Sequence, residues 1–403
     1  MSELNASAAK TSTPRLYYLD WLRVIATIGI FLFHNSRAYN YGDWSIKNAQ
    51  TTLVATQFVE FMNIWMMPLF FVLSGASVYY SLKSRNGSSF LKERFFRIMV
   101  PWLLTGIFVM APPQVYLERL SHGQFNGNFF QFLPHYFDGI YFNGIFGLDG
   151  NFAFHGMHIW YLMQLSIFSV ILLPFFLPRA KTGVSPAQSI AAKLGKSWVL
   201  PLLFVPVGVV ALLSGVVGLG FTEQMGSWDI LSYMMFFILG YMLFASDGIQ
   251  QVVRKQGGWF LVAAVVFSAT HVLLKFYVRP SFYEDIDMRL LATWGWIVGL
   301  LWLGGRLLNF TDRFLAHVSE MVLPFYILHQ TVIIFVAYYV VQTGLAIPLK
   351  YGITVVISFA AIVVLYELLV SRVGIFRFLF GMKRKAVARV RVEVTGEGGL
   401  RGA

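Results

Sequence analysis

Residues 16–38 read LYYLDWLRVIATIGIFLFHNSRA, an apolar stretch long enough to cross a bilayer as one helix. The stretch contains Arg23 and His34, two residue types that membrane helices normally exclude. Their spacing corresponds to about three helical turns, so an α-helix places both side chains on one face, about 16 Å apart along its axis. The stretch therefore predicts a membrane helix with a polar stripe.

The composition of the whole chain agrees with a membrane protein. Of its 403 residues, 57% are hydrophobic and only 12% are charged, about half the charged share of a soluble protein. We expect an all-α, polytopic membrane protein with about ten transmembrane helices around a central hydrated cavity. The ten apolar segments are 16–38, 54–82, 95–118, 157–178, 198–219, 228–246, 258–278, 289–308, 318–340 and 348–372.

The distribution of positive charge predicts the orientation. With the N-terminus in the cytoplasm, 23 of the 31 Lys and Arg residues fall on the cytoplasmic side and 7 on the outer side, as the positive-inside rule requires. We expect a multi-pass protein of the cell inner membrane with both termini cytoplasmic. The predicted parts are an N-terminal segment (1–15), the ten-helix domain (16–372) and a basic tail (373–403). Because the basic residues lie beside apolar segments, the net charge of +12 indicates membrane lipids as partners and not nucleic acid.

His34 is the strongest candidate for a general base, since an imidazole accepts a proton near neutral pH. Asp20 lies three residues before Arg23, so the two side chains can pair inside the bilayer, where an unpaired charge is costly. Glu60 is expected at the depth of His34 on the second helix, where its carboxylate would orient the imidazole. We predict catalytic roles for His34, Arg23, Glu60 and Asp20.

Two arginines open the third apolar segment at the predicted cytoplasmic face. Arg94 and Arg97 are three residues apart and share a side of an α-helix. Positive-inside anchoring explains them without any further function. The alternative is a clamp for the phosphates of a cytosolic cofactor, held by charge-assisted hydrogen bonds.

Further polar residues lie in apolar segments, where they usually face a cavity or pair with one another. We expect His158, Trp160, Tyr326 and His329 to bind substrate. His155 and His158 have a spacing seen in metal sites, but no neighbouring Asp, Glu or Cys supports one, and the chain has no cysteine. No metal is predicted. The long outer segment 118–157 is rich in Phe and Tyr, which fits either a lid for a sugar or an interfacial loop.

Taken in order, these motifs resemble the integral-membrane acyltransferase 3 family, and within it the glucan biosynthesis protein C and surface polysaccharide O-acyltransferase branch. The motifs are Asp20-x-x-Arg23, Arg23-x10-His34, Phe70-Phe71-Val72-Leu73-Ser74-Gly75, Arg94-x-x-Arg97-Ile98 before Pro101, His158-Ile159-Trp160-Tyr161-Leu162 and Tyr326-Ile327-Leu328-His329-Gln330. The resemblance implies transfer of an acyl group, often acetyl or succinyl, from cytosolic acyl-CoA to a hydroxyl of an extracytoplasmic carbohydrate. It also implies that His34 and Arg23 are essential and that Arg94 and Arg97 serve the donor side.

We therefore expect a membrane-embedded O-acyltransferase with acetyl-CoA or succinyl-CoA as donor and a glycan as acceptor. The donor would dock at Arg94 and Arg97 and extend past Arg23 toward His34. The alternative is a transporter or flippase for a lipid-linked or anionic substrate, because intramembrane polar residues also suit a passage. The sequence does not set the oligomeric state.

Overall fold

The computed structural model describes residues 15–141, 150–196, 198–217, 226–278 and 288–383. These residues form helices and loops, with one isolated bridge between Ile140 and Phe152. The longer helices are α1 (Tyr17–Arg37), α2 (Leu53–Ser84), α3 (Gly87–Ser121), α4 (Met157–Ile171), α5 (Leu200–Val217), α6 (Ile230–Ala245), α7 (Asp247–Val278), α8 (Arg289–Leu307), α9 (Arg313–Val340) and α10 (Ile347–Val370), followed by the short α11 (Gly374–Leu379). Other short helices are Phe129–Phe132, Leu133–Phe137, Leu173–Phe176 and Pro186–Lys193.

Within the described residues, seven helices are long and apolar enough to cross a membrane: α2, α3, α5, α7, α8, α9 and α10. Helices α4 and α6 are apolar but shorter. The 21 residues of α1 cover about 30 Å, yet they carry Asp20, Arg23 and Arg37. The all-helical, multi-pass architecture is confirmed, whereas the number of ten crossings and the central hydrated cavity stay predictions.

Two helix starts differ from the predicted segments because side-chain caps lengthen the helices. The Ser246 side chain accepts a hydrogen bond from Ile249 N, so α7 begins at Asp247 and not near residue 258. The Asn86 side chain caps α3 in the same way through Ser89 N, so α3 begins at Gly87, eight residues before the predicted segment. Hydrophobicity alone finds the apolar centre of a helix and misses its polar first turns.

Helix α2 lies at the centre of the protein, and α7 lies at its periphery. Within their most apolar windows, 78% of α2 is buried but only 17% of α7. Helix α2 packs against α1, α6 and α8. Its contact with α6 is closest at Gly75, where a Cβ atom would lie 2.0 Å from the Phe237 carbonyl oxygen. Only glycine allows this approach of two helix backbones.

The helices leave two distinct ends. The basic end contains the start of α1, the Lys83–Arg97 connection and α11, whose Leu379 carbonyl accepts a hydrogen bond from Thr105. The loop end contains the loop 38–52 and the cap, residues 122–156, of which 142–149 lie outside the described part. The cap has a small core of its own, made by Phe132, Tyr136, Tyr141 and their neighbours. Residues 1–14 and most of the predicted basic tail, from 384 onward, also lie outside the described residues.

Candidate active site

The predicted polar stripe of α1 begins with an ion pair. Arg23 donates to Asp20 at 2.7 Å, to the Ser77 hydroxyl at 2.7 Å and to the Leu73 carbonyl at 3.3 Å. Asp20 also accepts from Arg15 at 2.7 Å. The pairing of Asp20 with Arg23 that the sequence predicts is present. Because Arg23 reaches across to α2, its guanidinium is fixed between two helices and not extended toward the headgroups.

Arg23 lines a small pocket of about 90 Å³ between α1, α2, α4 and α9. At its wall, the hydroxyls of Ser74 and Tyr161 lie 2.6 Å apart, and Tyr161 also donates to the Phe70 carbonyl. The complete lining is Arg23, Thr27, Met67, Phe70, Leu73, Ser74, Tyr161, Val322, Leu323 and Tyr326. The pocket therefore has apolar walls with a cation and four hydroxyls, a composition typical of small-molecule sites.

Three histidines from three helices meet above this pocket. His329 of α9 lies at the centre, with its ring centroid 5.1 Å from that of His34 and 4.8 Å from that of His158. Tyr326 lies one turn earlier on α9, with its ring centroid 5.5 Å from that of His329, and it also lines the Arg23 pocket. Arg23 and His34 therefore both face α9, as one stripe of α1 requires.

Local backbone geometry places His158 at the start of α4. Gly156 has φ of 77° and Met157 has φ of 54°, both in the left-handed region. Such values are uncommon for a residue other than glycine, asparagine or aspartate. Together they turn the chain from the cap into α4, so that His158 enters the helix with its side chain toward α9.

Hydrogen bonds define the tautomers of two of these histidines. His158 Nε2 lies 3.1 Å from the Ile327 carbonyl, so Nε2 carries the proton and Nδ1 accepts from Gln114 at 3.3 Å. His329 Nδ1 lies 2.5 Å from the Tyr326 carbonyl and must donate, which leaves Nε2 as an acceptor. His329 Nε2 is buried and has no hydrogen-bond partner among the described residues.

Gln114 of α3 connects this cluster to further polar side chains. Its amide group donates to the Thr331 hydroxyl at 2.8 Å and accepts from Gln330 at 3.0 Å. Gln114 is fully buried, so its amide orientation is fixed by these bonds and in turn holds His158. Nothing in the sequence marked Gln114, because a single glutamine in an apolar helix carries no pattern.

His34 combines a buried nitrogen with an accessible edge. Its Nδ1 is buried and makes no hydrogen bond within the described part of the chain, while the residue as a whole is partly exposed. The indole of Trp44, from the loop 38–52, stacks beside it with ring centroids 6.4 Å apart and planes at 27°. His34 is thus an unpaired imidazole at the boundary between the protein interior and the loop end.

Glu60 contacts α7 and not His34, the partner that the sequence predicts. Its two carboxylate oxygens bind His271 Nε2 and Lys275 Nζ of α7, each at 2.8 Å. The prediction placed Glu60 correctly near the loop end of α2 but chose the wrong neighbouring helix, since this face of α2 meets α7 and not α1. The groups beside His34 are instead His329 and Trp44.

The two arginines of the predicted phosphate clamp make different contacts. Arg94 packs over the Phe90 ring. Arg97 donates to Glu93 and to the Gly381 carbonyl beyond α11. The helix is π-helical over Phe95–Met99, and its wider turns rotate Arg97 away from the face that an α-helix would give it.

Of the four predicted substrate residues, Trp160 lies apart. It packs against Phe71 and Tyr233 in the aromatic core between α2, α4 and α6. Its neighbour Tyr161 is the residue of this motif that reaches the pocket. Because successive residues on a helix point in different directions, Trp160 faces the aromatic core while Tyr161 faces the pocket.

The cap contains a buried histidine. His155 is 5% exposed, and this burial lowers its pKa to about 4.

Within the described residues, no group of three or more His, Asp or Glu side chains is arranged to hold a metal ion. The chemistry that the site offers is proton transfer by imidazole, hydrogen bonding by Tyr and Ser hydroxyls, and charge stabilisation by Arg23.

Comparison with known proteins gives a family consistent with this chemistry. The sequence profile of a family described as an acyltransferase domain matches residues 16–367. Similar proteins include glucans biosynthesis protein C of Salmonella schwarzengrund, 25% identical over 388 residues that cover 92% of this chain and 95% of the relative. The protein of the same name from Escherichia coli K12 is 22% identical over 383 residues, with the same coverage. No solved structure matches the chain.

The matched region runs from the start of α1 into the last turn of α10 and so contains every residue of the pocket and of the histidine cluster. The chain belongs to the integral-membrane acyltransferase 3 family and is a membrane acyltransferase.

Proposed function

We propose that this acyltransferase moves an acetyl or succinyl group from cytosolic acyl-CoA to a hydroxyl of an extracytoplasmic glycan. One observation carries the proposal: the Arg23 pocket and the His34 cluster lie along the same two helices and are connected through Tyr326 and His329. A donor site and an acceptor site are thereby joined across the protein. The glycan acceptor is supported by the name of the relatives, which refers to glucan biosynthesis.

The donor side is the basic end. Its positive charges, which include Lys83, Lys92, Arg94 and Arg97, suit the phosphates of coenzyme A. The pocket lies between the basic end and the histidine cluster, and its apolar walls and the Arg23 guanidinium suit the thioester arm, which extends past Arg23 toward His34.

The acceptor side is the loop end, where His34 acts as general base. Its imidazole takes the proton of the attacking hydroxyl, the new C–O bond forms at the thioester carbonyl, and the C–S bond breaks. The sulfur leaves as a thiolate and receives the proton from His34. His329 Nε2 is an acceptor held in place by the Tyr326 carbonyl, so it steadies protonated His34 in the role that the sequence analysis gave to Glu60.

The proposal includes the orientation, with both termini and the basic end in the cytoplasm. Since the chain has no cysteine, single cysteines give unambiguous labelling. We expect Tyr41→Cys in the exposed loop end to react with a membrane-impermeant maleimide added outside spheroplasts, and Lys92→Cys to react only after lysis. The opposite pattern would reverse the donor and acceptor sides.

The proposal is tested by thiol release from acyl-CoA by purified protein in detergent. We expect release with acetyl-CoA or succinyl-CoA that increases when glucose oligomers are added, and oligomers that gain the mass of the acyl group. A thiol reagent detects only coenzyme A, because the protein itself has no thiol. A transporter would release no thiol, and that result across both donors would refute the proposal.

A further inference from the structure

The loop 38–52 places an aromatic ring directly beside the proposed base. The Trp44 indole lies beside the His34 imidazole, with ring centroids 6.4 Å apart, and Trp44 is itself partly exposed. The residues before it, at the loop tip, are open to solvent, and Tyr41 is 58% exposed. A flat apolar surface therefore lies next to the proposed base, at the solvent-exposed loop end.

This loop is unusually well anchored for an exposed segment. The Lys47 ammonium group donates to the carbonyl oxygens of Arg37, Asn40 and Gly42 and to the Asn40 side chain, at 2.5 to 3.2 Å. Lys47 thereby ties the start of the loop to its later half. Backbone bonds from Asn48 to Ala38 and from Thr52 to Tyr39 close the same turn.

Residues after Trp44 fasten the loop to two helices. The Ser121 hydroxyl of α3 donates to the Ser45 carbonyl at 3.0 Å, and the buried Lys350 of α10 donates to Asn48 Oδ1 at 2.8 Å. Ile46 is 1% exposed and packs with Leu117 and Ile334. Because the chain is fixed on both sides of Trp44, the loop holds the indole beside His34 before any ligand arrives.

We propose that Trp44 is an acceptor-positioning residue, whose indole stacks against the apolar face of a sugar ring and presents a hydroxyl of that ring to His34. The inference rests on the proposed function and adds the residue that recognises the glycan. A sugar fits because its ring has a C–H face that packs on an aromatic surface and hydroxyls at the ring edge. The neighbouring Asp43 carboxylate, on the exposed tip, offers an acceptor for a second hydroxyl.

The test compares Trp44→Ala, Trp44→Phe and the matched control Trp259→Ala, which removes a tryptophan that is 76% exposed on α7. Two rates are measured: thiol release from acyl-CoA with water alone, and its increase with glucose oligomers. We expect Trp44→Ala to raise the oligomer concentration needed for half-maximal stimulation about tenfold or more and to lower the water-only rate by a smaller factor. Trp44→Phe should stay within about threefold of wild type, and Trp259→Ala should equal it.

Two results overturn the inference. One is an unchanged oligomer dependence in Trp44→Ala. The other is an equal loss of the water-only rate in Trp44→Ala and Trp44→Phe, which would make Trp44 a structural support of His34. Equilibrium dialysis of labelled glucose oligomers separates this test from the proposed function. If wild type releases no thiol, the proposed function fails, yet weaker oligomer binding by Trp44→Ala than by Trp259→Ala would still support the inference.

Discussion

The imidazole of His34 lies against that of His329, with ring centroids 5.1 Å apart and planes at 50°. His329 Nδ1 is committed to the Tyr326 carbonyl, so its buried Nε2 is an uncharged acceptor. In the proposed mechanism, the group that steadies protonated His34 is therefore a second histidine, in contrast to the carboxylate of a Ser-His-Asp triad. This relationship makes the role of His329 separable from that of His34.

Replacing His329 by Leu removes the acceptor, whereas Gln retains a carbonyl oxygen at a similar distance from the backbone. We expect Leu to lower the acyl-transfer rate about tenfold or more and Gln to lower it less, both short of the 10²-fold or greater loss expected for the base itself. The measurement is the pH dependence of transfer, which should shift in the Leu variant. If both variants transfer acyl groups at the wild-type rate with an unshifted pH profile, His329 has only a packing role.

Arg23 and Arg15 share one partner, and they form a matched pair for mutation. Both guanidiniums bind Asp20 at 2.7 Å, but only Arg23 also binds Ser77 and lines the pocket. Lysine cannot replace the several directed bonds of a guanidinium. We expect Arg23→Lys to raise the KM for acyl-CoA about tenfold, and Arg15→Ala to leave it within about twofold. A similar KM in both variants would remove Arg23 from the donor site.

Gly75 tests the packing of α2 on α6. A Cβ at this position would meet the Phe237 carbonyl at 2.0 Å, whereas a Cβ at Gly352 of α10 would meet nothing within 4 Å. We expect Gly75→Ala to lower the free energy of unfolding by about 1–3 kcal/mol or more, and Gly352→Ala to leave it unchanged or raise it slightly. Thermal unfolding in detergent gives the comparison. Equal melting temperatures of the two variants would show that α2 and α6 do not approach this closely at Gly75.

Acid should destabilise the protein through His155. Its pKa is about 4 in the folded protein because the ring is buried, against about 6.5 in an unfolded chain. Between these values the unfolded chain binds more protons, so this contribution to stability is complete above pH 6.5 and is lost as the pH falls toward 4. At pH 5 the loss is about 2 kcal/mol relative to pH 7.5.

The corresponding measurement is the melting temperature at pH 7.5 and pH 5. His155→Gln removes the titrating ring and should show a smaller drop than wild type. His135→Gln, an exposed site in the same cap, should keep the wild-type drop. An identical drop in all three proteins would place the acid sensitivity elsewhere.

The relative positions of residues on one helix could be predicted from the sequence. The stripe of Arg23 and His34, the Asp20 pair, and the proximity of Tyr326 to His329 all follow from helical periodicity. The shared face of Arg23 and His34 on α1 is the part of the site that sequence spacing anticipated best. The family followed from the order of short motifs along these same helices.

Features that depend on which helices are neighbours could not be predicted. Glu60 binds α7 because of the packing of α2, which no local pattern encodes. Arg97 is turned toward Gly381 by a π-helical stretch, and Trp44 reaches His34 through a loop whose anchors lie on α3 and α10. Each of these contacts joins residues far apart in sequence, where periodicity carries no information.

The central claim is that His34 is the base of acyl transfer, and it is tested most directly by acceptor-stimulated thiol release in His34→Ala. The control is His317→Ala, which removes an exposed histidine at the basic end. We expect His34→Ala to lose at least about 10²-fold in the stimulated rate while its melting temperature and its acyl-CoA binding stay at wild-type values, and His317→Ala to remain active. Full stimulated activity in folded His34→Ala would contradict the account.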